Sequence, residues 1–228
     1  MNVASEWWLL RHGETEWNRA GRLQGRDDSP LTADGRAAAE ALARACAGLG
    51  AARLWTSPLG RARATAERIG RACGLDPEPH EALAEMSFGE CAGLTLDEVR
   101  ARHPGLFDAR ARDRWRHRWP GGESYEEVCA RVRAWLDLAG PLASAKPAIV
   151  VAHQIVNRAL LVALGACARD AAMASEQSAN VIVRLEAGGP LAHARLDAAE
   201  KSAALAWRPG APAVADGTDA ALATQRLV

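Results

Sequence analysis

Two short apolar runs, each followed directly by a histidine, constrain the fold of this chain most strongly. Residues 7–10 (Trp-Trp-Leu-Leu) lead to Arg11 and His12, and residues 147–152 (Pro-Ala-Ile-Val-Val-Ala) lead to His153. Such runs are typical of strands that are buried in a sheet. Because open α/β sheets bind their ligands at the carboxyl ends of the strands, we expect both histidines near a ligand site.

Strands and helices alternate along the chain with short connections. Thr32 is a typical N-cap residue at the start of a helical pattern, and residues 52–56 have the pattern of a second strand. This alternation predicts an α/β fold, a three-layer α/β/α sandwich on a mostly parallel sheet. For the last strands, at 180–185 and 191–196, antiparallel pairing is left open.

The domain organisation follows from composition along the chain. We predict one domain over residues 1–205 and a C-terminal tail over 206–228, which is rich in alanine, proline and glycine. An arginine-rich insert at about 94–120, broken near Pro104, is expected to form one or two short helices as a cap. Within it, the Arg/Trp-rich stretch 110–119 is expected to roof a ligand pocket and to select the substrate.

Overall composition narrows the range of partners. The chain has 228 residues, of which 49% are apolar, and its 28 basic and 28 acidic side chains cancel. A neutral chain gives no reason to expect binding to nucleic acid or an anionic membrane, and no apolar run approaches the ~18 residues of a membrane span. Five scattered cysteines without a Cys-x-x-Cys pair favour reduced thiols, and the first residues lack a secretory pattern. We therefore predict a cytoplasmic location.

The Arg11-His12 pair suggests an anion held beside a nucleophile or a proton carrier. An isolated pair of this kind is more often a solvated strand end, so the interpretation depends on other stretches. Hydrolysis of a phosphate monoester requires positive donors for the phosphoryl oxygens, a nucleophile in line with the P–O bond and an acid for the leaving alkoxide. Arg61 is a second candidate donor, because it starts a helix after a Ser-Pro turn, where helix N–H groups also favour an anion.

The segment Arg-His-Gly-Glu-Thr-x-x-Asn at residues 11–18 resembles the signature of the histidine phosphatase superfamily, the phosphoglycerate mutase-like proteins. Residues 57–66 (Ser-Pro-Leu-x-Arg-Ala-x-x-Thr-Ala) resemble its second motif, residues 83–93 its acid-bearing segment and residues 150–153 (Val-Val-Ala-His) its last motif. Four separated motifs in the expected order make the resemblance strong over roughly residues 8–165.

The resemblance implies a role for each candidate catalytic residue. His12 is expected to attack phosphorus with a neutral ring nitrogen and form a phosphohistidine, while its other ring nitrogen donates to a backbone carbonyl. Arg11 and Arg61 are expected to bind the phosphoryl oxygens, and His153 to stabilise them in the transition state. Glu85 is expected to be the general acid, kept protonated beside a dense anion.

Further residues are expected to contact the substrate. These are Asn18, Gln24, Thr15, Ser57 and Gln154, with Thr15 and Ser57 placed at the rim of the pocket. Most relatives have glycine after the second histidine, so Gln154 resembles the fructose-2,6-bisphosphatase branch, as does the run Pro-Gly-Gly-Glu-Ser-Tyr at 120–125. That run occurs more widely and does not select a substrate. Glu90 is a rival general acid that does not match the motif position.

On this reading we expect a histidine acid phosphatase-type phosphomonoesterase that needs neither metal nor cofactor. Mutases of the superfamily share the core residues but carry a longer insert, whereas only about 35 residues separate Glu85 from Gly121. An open site admits water, which favours hydrolysis over transfer. A non-catalytic phospho-ligand-binding relative generally lacks one of these histidines or arginines, and the histidine spacing fits no metal motif. Which small phosphate ester is the substrate, an α-ribazole phosphate included, and whether the chain forms a homodimer are left open.

Overall fold

A seven-stranded sheet organises the residues that the computed structural model describes, which are 6–138, 146–186, 191–196, 208–210 and 212. The strands are β1 (Glu6–Arg11), β2 (Arg53–Thr56), β3 (Glu78–Pro79), β4 (Ala148–Ala152), β5 (Val181–Glu186), β6 (Ala192–Arg195) and β7 (Arg208–Pro209). Their order across the sheet is β3-β2-β4-β1-β5-β6-β7. The first four pair in parallel and β5 to β7 pair antiparallel, which confirms a sheet that is mostly parallel at its core.

Helices flank this sheet on both faces. In the described part of the chain they are α1 (Glu16–Arg19), α2 (Ala33–Cys46), α3 (Gly60–Cys73), α4 (Leu96–Arg102), α5 (Leu106–Arg112), α6 (Tyr125–Leu138), α7 (Gln154–Ala163) and α8 (Arg169–Ala174). Short 3₁₀ turns cover Glu81–Leu83 and Gly89–Cys91. None of these helices combines the length and the apolarity that a bilayer span requires.

Alternate side chains of β1 enter two separate cores. Trp7 and Leu9 lie in one buried cluster with side chains of α6 and α7, whereas Trp8 and Leu10 lie in another with side chains of α2 and α3. Successive residues of a strand point to opposite faces, so one apolar strand supplies both cores. This arrangement is the three-layer α/β/α sandwich that the sequence predicts.

The central strands β1 and β4 end at the same edge of the sheet. They are parallel neighbours with Arg11 opposite Ala152, and the backbone N–H of His12 donates to Ala152 O at 3.1 Å. His12 and His153, which follow these two strands, are therefore brought together by strand register alone.

The insert at 94–120 contains the two short helices expected there, α4 and α5, with Pro104 between them. Of the predicted tail over 206–228, the structure describes residues 208–210 and 212. Arg208–Pro209 pairs with β6, and Glu176 N donates to Pro212 O at 3.0 Å. Because backbone pairing at a sheet edge does not depend on side-chain composition, the composition of this segment does not predict it. The other residues of the predicted tail lie outside the described ranges.

Candidate active site

His12 lies at the carboxyl end of β1 with one ring nitrogen tied to the backbone. Its Nδ1 is 2.7 Å from Gly13 O, so Nδ1 carries the hydrogen and donates, as the sequence predicts. Nε2 is then an acceptor, and Arg61 Nε donates to it at 3.3 Å. Burial lowers the pKa of His12 well below its ordinary value, and the charges of Arg61 and Arg11 lower it further. The ring is therefore neutral, with its lone pair on Nε2.

His153 packs beside His12, with the two ring centroids 5.0 Å apart. Its Nε2 lies 2.8 Å from Ser57 Oγ, and its Nδ1 has no hydrogen-bond partner within the described part of the chain. Burial lowers the pKa of His153 well below its ordinary value, and the charge of Arg61 adds to the effect. In the tautomer in which the Ser57 hydroxyl donates to Nε2, the neutral ring carries its hydrogen on Nδ1, where it can donate to a ligand oxygen.

Two buried guanidinium groups supply positive charge to the site. Arg61, in the first turn of α3, donates to the carbonyl oxygens of Gly25 and Asp27 at 2.8 and 2.7 Å and to Asp28 Oδ1 at 3.0 Å. Arg11 is also buried, and its Nη1 donates to a backbone carbonyl at 3.0 Å. Because these contacts hold both side chains in place, they can act as fixed donors to an anion without reordering.

Glu85 is buried in the same site, and its carboxyl group accepts a hydrogen bond from a backbone N–H. Its Oε1 accepts from Met86 N at 2.9 Å. Burial raises the pKa of Glu85, although the Met86 N–H and the charges of Arg61 and Arg11 oppose that shift. The rival candidate Glu90 is exposed and lies away from the cavity wall. Of the two carboxyl groups, only Glu85 lies on the cavity wall, where a general acid could reach a bound ester.

These side chains surround one small cavity of about 70 Å³. One water molecule needs roughly 10–15 Å³, so the cavity has room for a group the size of a phosphoryl group. Most of the residues predicted for the site line it, namely Arg11, His12, Asn18, Gln24, Arg61, Glu85 and Gln154. His153 is not among the residues that line it, but its ring packs directly against that of His12.

The expectation that Thr15 and Ser57 form the rim is wrong. Both are fully buried, and neither lines the cavity. Thr15 Oγ1 accepts from Gln24 Nε2 at 2.8 Å and donates to Asn18 Oδ1 at 3.0 Å. A hydroxyl side chain is too short to reach past these longer amides, so Thr15 holds them in position, as Ser57 holds His153.

The expectation that residues 110–119 roof the pocket is also wrong, because none of them lines it. Trp119 is buried in the core, and the guanidinium of Arg110 stacks on its ring at 4.3 Å. The aromatic and cationic groups of this stretch are thus used in packing against one another. Residues 21–25 and Arg158 complete the wall instead.

Sequence reasoning missed Arg158, which is buried on α7 and lines the cavity. It lies four residues after Gln154, so the two side chains share one face of the helix. The sequence does contain a signal for it. The helix is apolar almost all round, and an arginine buried there needs a partner for its charge.

A neutral histidine whose Nε2 is an acceptor, two fixed arginines and a buried carboxyl group around an anion-sized cavity form an arrangement that suits phosphoryl transfer. The family model described as the histidine phosphatase superfamily (branch 1) matches residues 7–194, and the chain belongs to this family. The fold and the family predicted from the motifs are thereby confirmed.

Named relatives differ in the chemistry that their names state. A Caenorhabditis elegans 6-phosphofructo-2-kinase/fructose-2,6-bisphosphatase is 39% identical over 68% of this chain and 33% of its own length. The rat enzyme of the same name, form 1, is 37% identical over 68% of this chain and 31% of its own length, so the match spans about a third of these relatives. A probable phosphoglycerate mutase of Salmonella paratyphi C is 36% identical over 65% of this chain and 69% of its own length.

Solved structures agree with the fold over most of the chain. The vanadate complex of a mycobacterial glucosyl-3-phosphoglycerate phosphatase matches with a TM-score of 0.73 and 27% identity, covering 93% of this chain and 100% of that one. Bacillus stearothermophilus YhfR matches with a TM-score of 0.72 and 29% identity, covering 82% of this chain and 94% of that one.

Proposed function

We propose that this protein is a metal-independent phosphomonoesterase that hydrolyses small phosphate esters through a phosphohistidine on His12. The observation that carries the proposal is the tautomer of His12. Its Nδ1 is held by Gly13 O, so the Nε2 lone pair faces a cavity lined by Arg11, Arg61 and Glu85. An unprotonated ring nitrogen beside fixed guanidinium groups is a nucleophile aimed at a bound phosphoryl group.

The geometry supports a two-step reaction. In the first step His12 Nε2 forms a bond to phosphorus as the ester P–O bond breaks, and Glu85 gives its proton to the leaving oxygen. In the second step a water oxygen bonds to phosphorus while Glu85 takes the proton of the water. The P–N bond breaks and its electron pair returns to Nε2, which regenerates both groups. Arg11, Arg61 and the Nδ1–H of His153 stabilise the charge on the phosphoryl oxygens throughout.

Phosphoryl transfer to a second sugar acid is the alternative that a mutase relative raises. The phosphohistidine would be the same, and the outcome depends on whether water or an acceptor ester reaches it. The side chains of Asn18 and Arg22, which line the cavity, are partly exposed to solvent, and this access favours hydrolysis.

We further propose that the preferred substrate carries a second acidic group. Arg158 lines the cavity and donates to two neutral acceptors, Ser175 O at 2.7 Å and Tyr125 Oη at 2.6 Å. Arg114 lies against the same Tyr125 ring at 5.8 Å, so two guanidinium groups approach one hydroxyl. A buried cation whose acceptors are neutral favours an anionic ligand group. Fructose 2,6-bisphosphate and glucosyl-3-phosphoglycerate, which the names of relatives suggest, both have such a group.

The test of the proposed activity is phosphate release by the purified chain from p-nitrophenyl phosphate, with and without EDTA. We expect hydrolysis in both conditions and an alkali-stable, acid-labile phosphoprotein in quenched reactions. His12→Ala should abolish both signals, with a loss of at least about a thousandfold in kcat, because the nucleophile is removed. His103→Asn, outside the site, is the matched control.

Four outcomes would contradict the proposal. Activity of His12→Ala equal to the parent would place the nucleophile elsewhere, and loss of activity in EDTA that added metal restores would show a metal enzyme. Strong phosphoglycerate mutase turnover with negligible hydrolysis would make the protein a mutase, and binding of vanadate without any turnover would make it a non-catalytic relative.

A further inference from the structure

A buried ion pair outside the cavity spans the segment that carries Glu85. Arg131, on α6, places its Nε 2.9 Å from Glu123 Oε1. Both side chains are largely buried, at 19% and 18% exposure, and neither lines the cavity. A buried pair of this kind often adds little net stability, so its role has to be sought in what else it contacts.

Arg131 donates hydrogen bonds to the backbone on the amino-terminal side of Glu85. Its Nη1 donates to Ala82 O at 2.6 Å and its Nη2 donates to Ala84 O at 2.7 Å. The planar guanidinium group thus binds two carbonyl oxygens of the Glu85 segment while its Nε remains on Glu123. Since both acceptors lie within three residues of Glu85, any change at Arg131 is transmitted to the carboxyl group.

Glu123 forms hydrogen bonds with the same segment on the carboxyl-terminal side of Glu85. Its Oε2 accepts from Ser87 N at 2.8 Å, and its backbone N–H donates to Ser87 O at 2.9 Å. The preceding Gly122 packs so closely on Ser87 O that a Cβ there would overlap it. This gives the Pro-Gly-Gly-Glu-Ser run a structural task, because its glutamate and glycine form the contact surface for the Glu85 segment.

We propose that Glu123 and Arg131 are positioning residues that hold Glu85 at the correct distance from the leaving-group oxygen. The inference rests on the proposed function, in which Glu85 is the general acid. Within the described residues the carboxyl group of Glu85 accepts one hydrogen bond, from Met86 N, so its place is set by the backbone that Arg131 and Glu123 hold. The charge of Arg131 also lowers the pKa of Glu85 against the effect of burial, so it bears on the proton as well as the position.

Dependence on the leaving group distinguishes this role from general support of the fold. An alkyl phosphate such as glycerol phosphate needs a proton on its leaving oxygen, whereas p-nitrophenyl phosphate has a good leaving group and needs the acid less. Arg131→Met should therefore lower kcat/KM, which reports only the steps up to release of the leaving group, about tenfold to a hundredfold with the alkyl ester and less than about threefold with the aryl ester. Glu85→Gln sets the upper limit of that difference, and Arg133→Met on the exposed face of α6 is the matched control.

The conservative variants keep the test decisive if Arg131→Met does not fold. Glu123→Gln retains an acceptor for Ser87 N but loses the ion pair. Arg131→Lys retains the charge but cannot bind both backbone carbonyl oxygens at once. Both should show the alkyl-selective loss to a smaller extent. Equal losses with the two esters, or losses no larger than those of Arg133→Met, would overturn the positioning role. If the parent chain hydrolyses neither ester, the proposed function itself fails. If Glu85→Gln shows no leaving-group dependence, the general-acid role fails, and this inference with it.

Discussion

At the scale of single residues, burial shifts the pKa values of the proposed catalytic groups. The pKa of His12 and that of His153 both fall well below the ordinary value, mainly because burial penalises the charged ring. Burial moves the pKa of Glu85 in the opposite direction, because it penalises the carboxylate. The same physical cause therefore favours an unprotonated base and a protonated acid in a single cavity.

These shifts predict how stability depends on pH. Below the ordinary histidine pKa of 6.5, the unfolded chain takes up protons on His12 and His153 that the folded protein does not bind. The unfolding free energy therefore falls as pH decreases from about 6.5, by about 1 kcal/mol per pH unit for each histidine. Glu85 acts in the opposite sense, since stability from its raised pKa is present below 4.5 and is lost as pH rises through the folded pKa.

Comparison of the parent with His12→Asn isolates one histidine, since the other titrating groups are common to both. Urea unfolding at a series of pH values between about 4.5 and 7.5 is the measurement, and the acid slope of the variant should be shallower by one proton's contribution. Parallel curves for the two proteins would show that His12 titrates alike in the folded and unfolded states.

At the scale of elements, two glycines allow the amino-terminal end of α2 to lie against the loop that follows His12. A Cβ on Gly35 would overlap the backbone of Glu14, and one on Gly13 would overlap Gly35 O. Gly35 N also donates to the N-cap Thr32 Oγ1 at 2.9 Å. The first turn of α2 therefore packs directly against the loop that follows His12. We expect a change in this contact to affect both packing and activity.

Gly35→Ala should destabilise the fold by about 1–3 kcal/mol, because overlap with backbone cannot be relieved by a side-chain rotation. It should also lower kcat, since Glu14 and the loop that follows His12 must move. Gly48→Ala, just beyond the same helix, has open space around its Cβ and should be close to neutral. Thermal unfolding and phosphate release of the two variants check this, and equal stabilities would show that the close approach is not required.

At the scale of the whole molecule, the charge is balanced overall and concentrated locally. The chain is neutral, yet Arg11, Arg22, Arg61 and Arg158 line one small cavity with a single carboxylic acid, Glu85. Such a distribution attracts small anions without making the surface generally basic. Selectivity among phosphate esters should then follow the number and spacing of their acidic groups.

A panel of phosphate esters with and without a second phosphate or carboxylate tests this selectivity. Arg158→Met should raise KM for the two-anion esters by about 10- to 100-fold, the effect of losing a charge-assisted hydrogen bond, and leave p-nitrophenyl phosphate within about threefold. Arg36→Met, outside the cavity, is the control. An equal change in KM for every ester would show that Arg158 supports the site without reading the substrate.

The sequence by itself determined the elements and the chemistry that depend on local pattern. The buried strands before His12 and His153, the helix caps and the catalytic residue types follow from periodicity and motif spacing, because these reflect backbone geometry over a few residues. The alternation of strands and helices was enough for the sandwich. The position within the motif favours Glu85 over Glu90 as the acid. Of these two residues, only Glu85 lines the cavity.

Only the tertiary structure decided which side chains face the ligand. Thr15 and Ser57 come from motifs but lie behind the wall, whereas Arg158 comes from an apolar helix and lies in it. The hydrogen bonds from Arg131 and Glu123 to the Glu85 segment join residues that lie 49 and 36 apart in the chain, for which no local pattern exists. Whether a polar side chain reaches a cavity depends on its length and on the neighbours packed around it, and those neighbours are set by the fold as a whole.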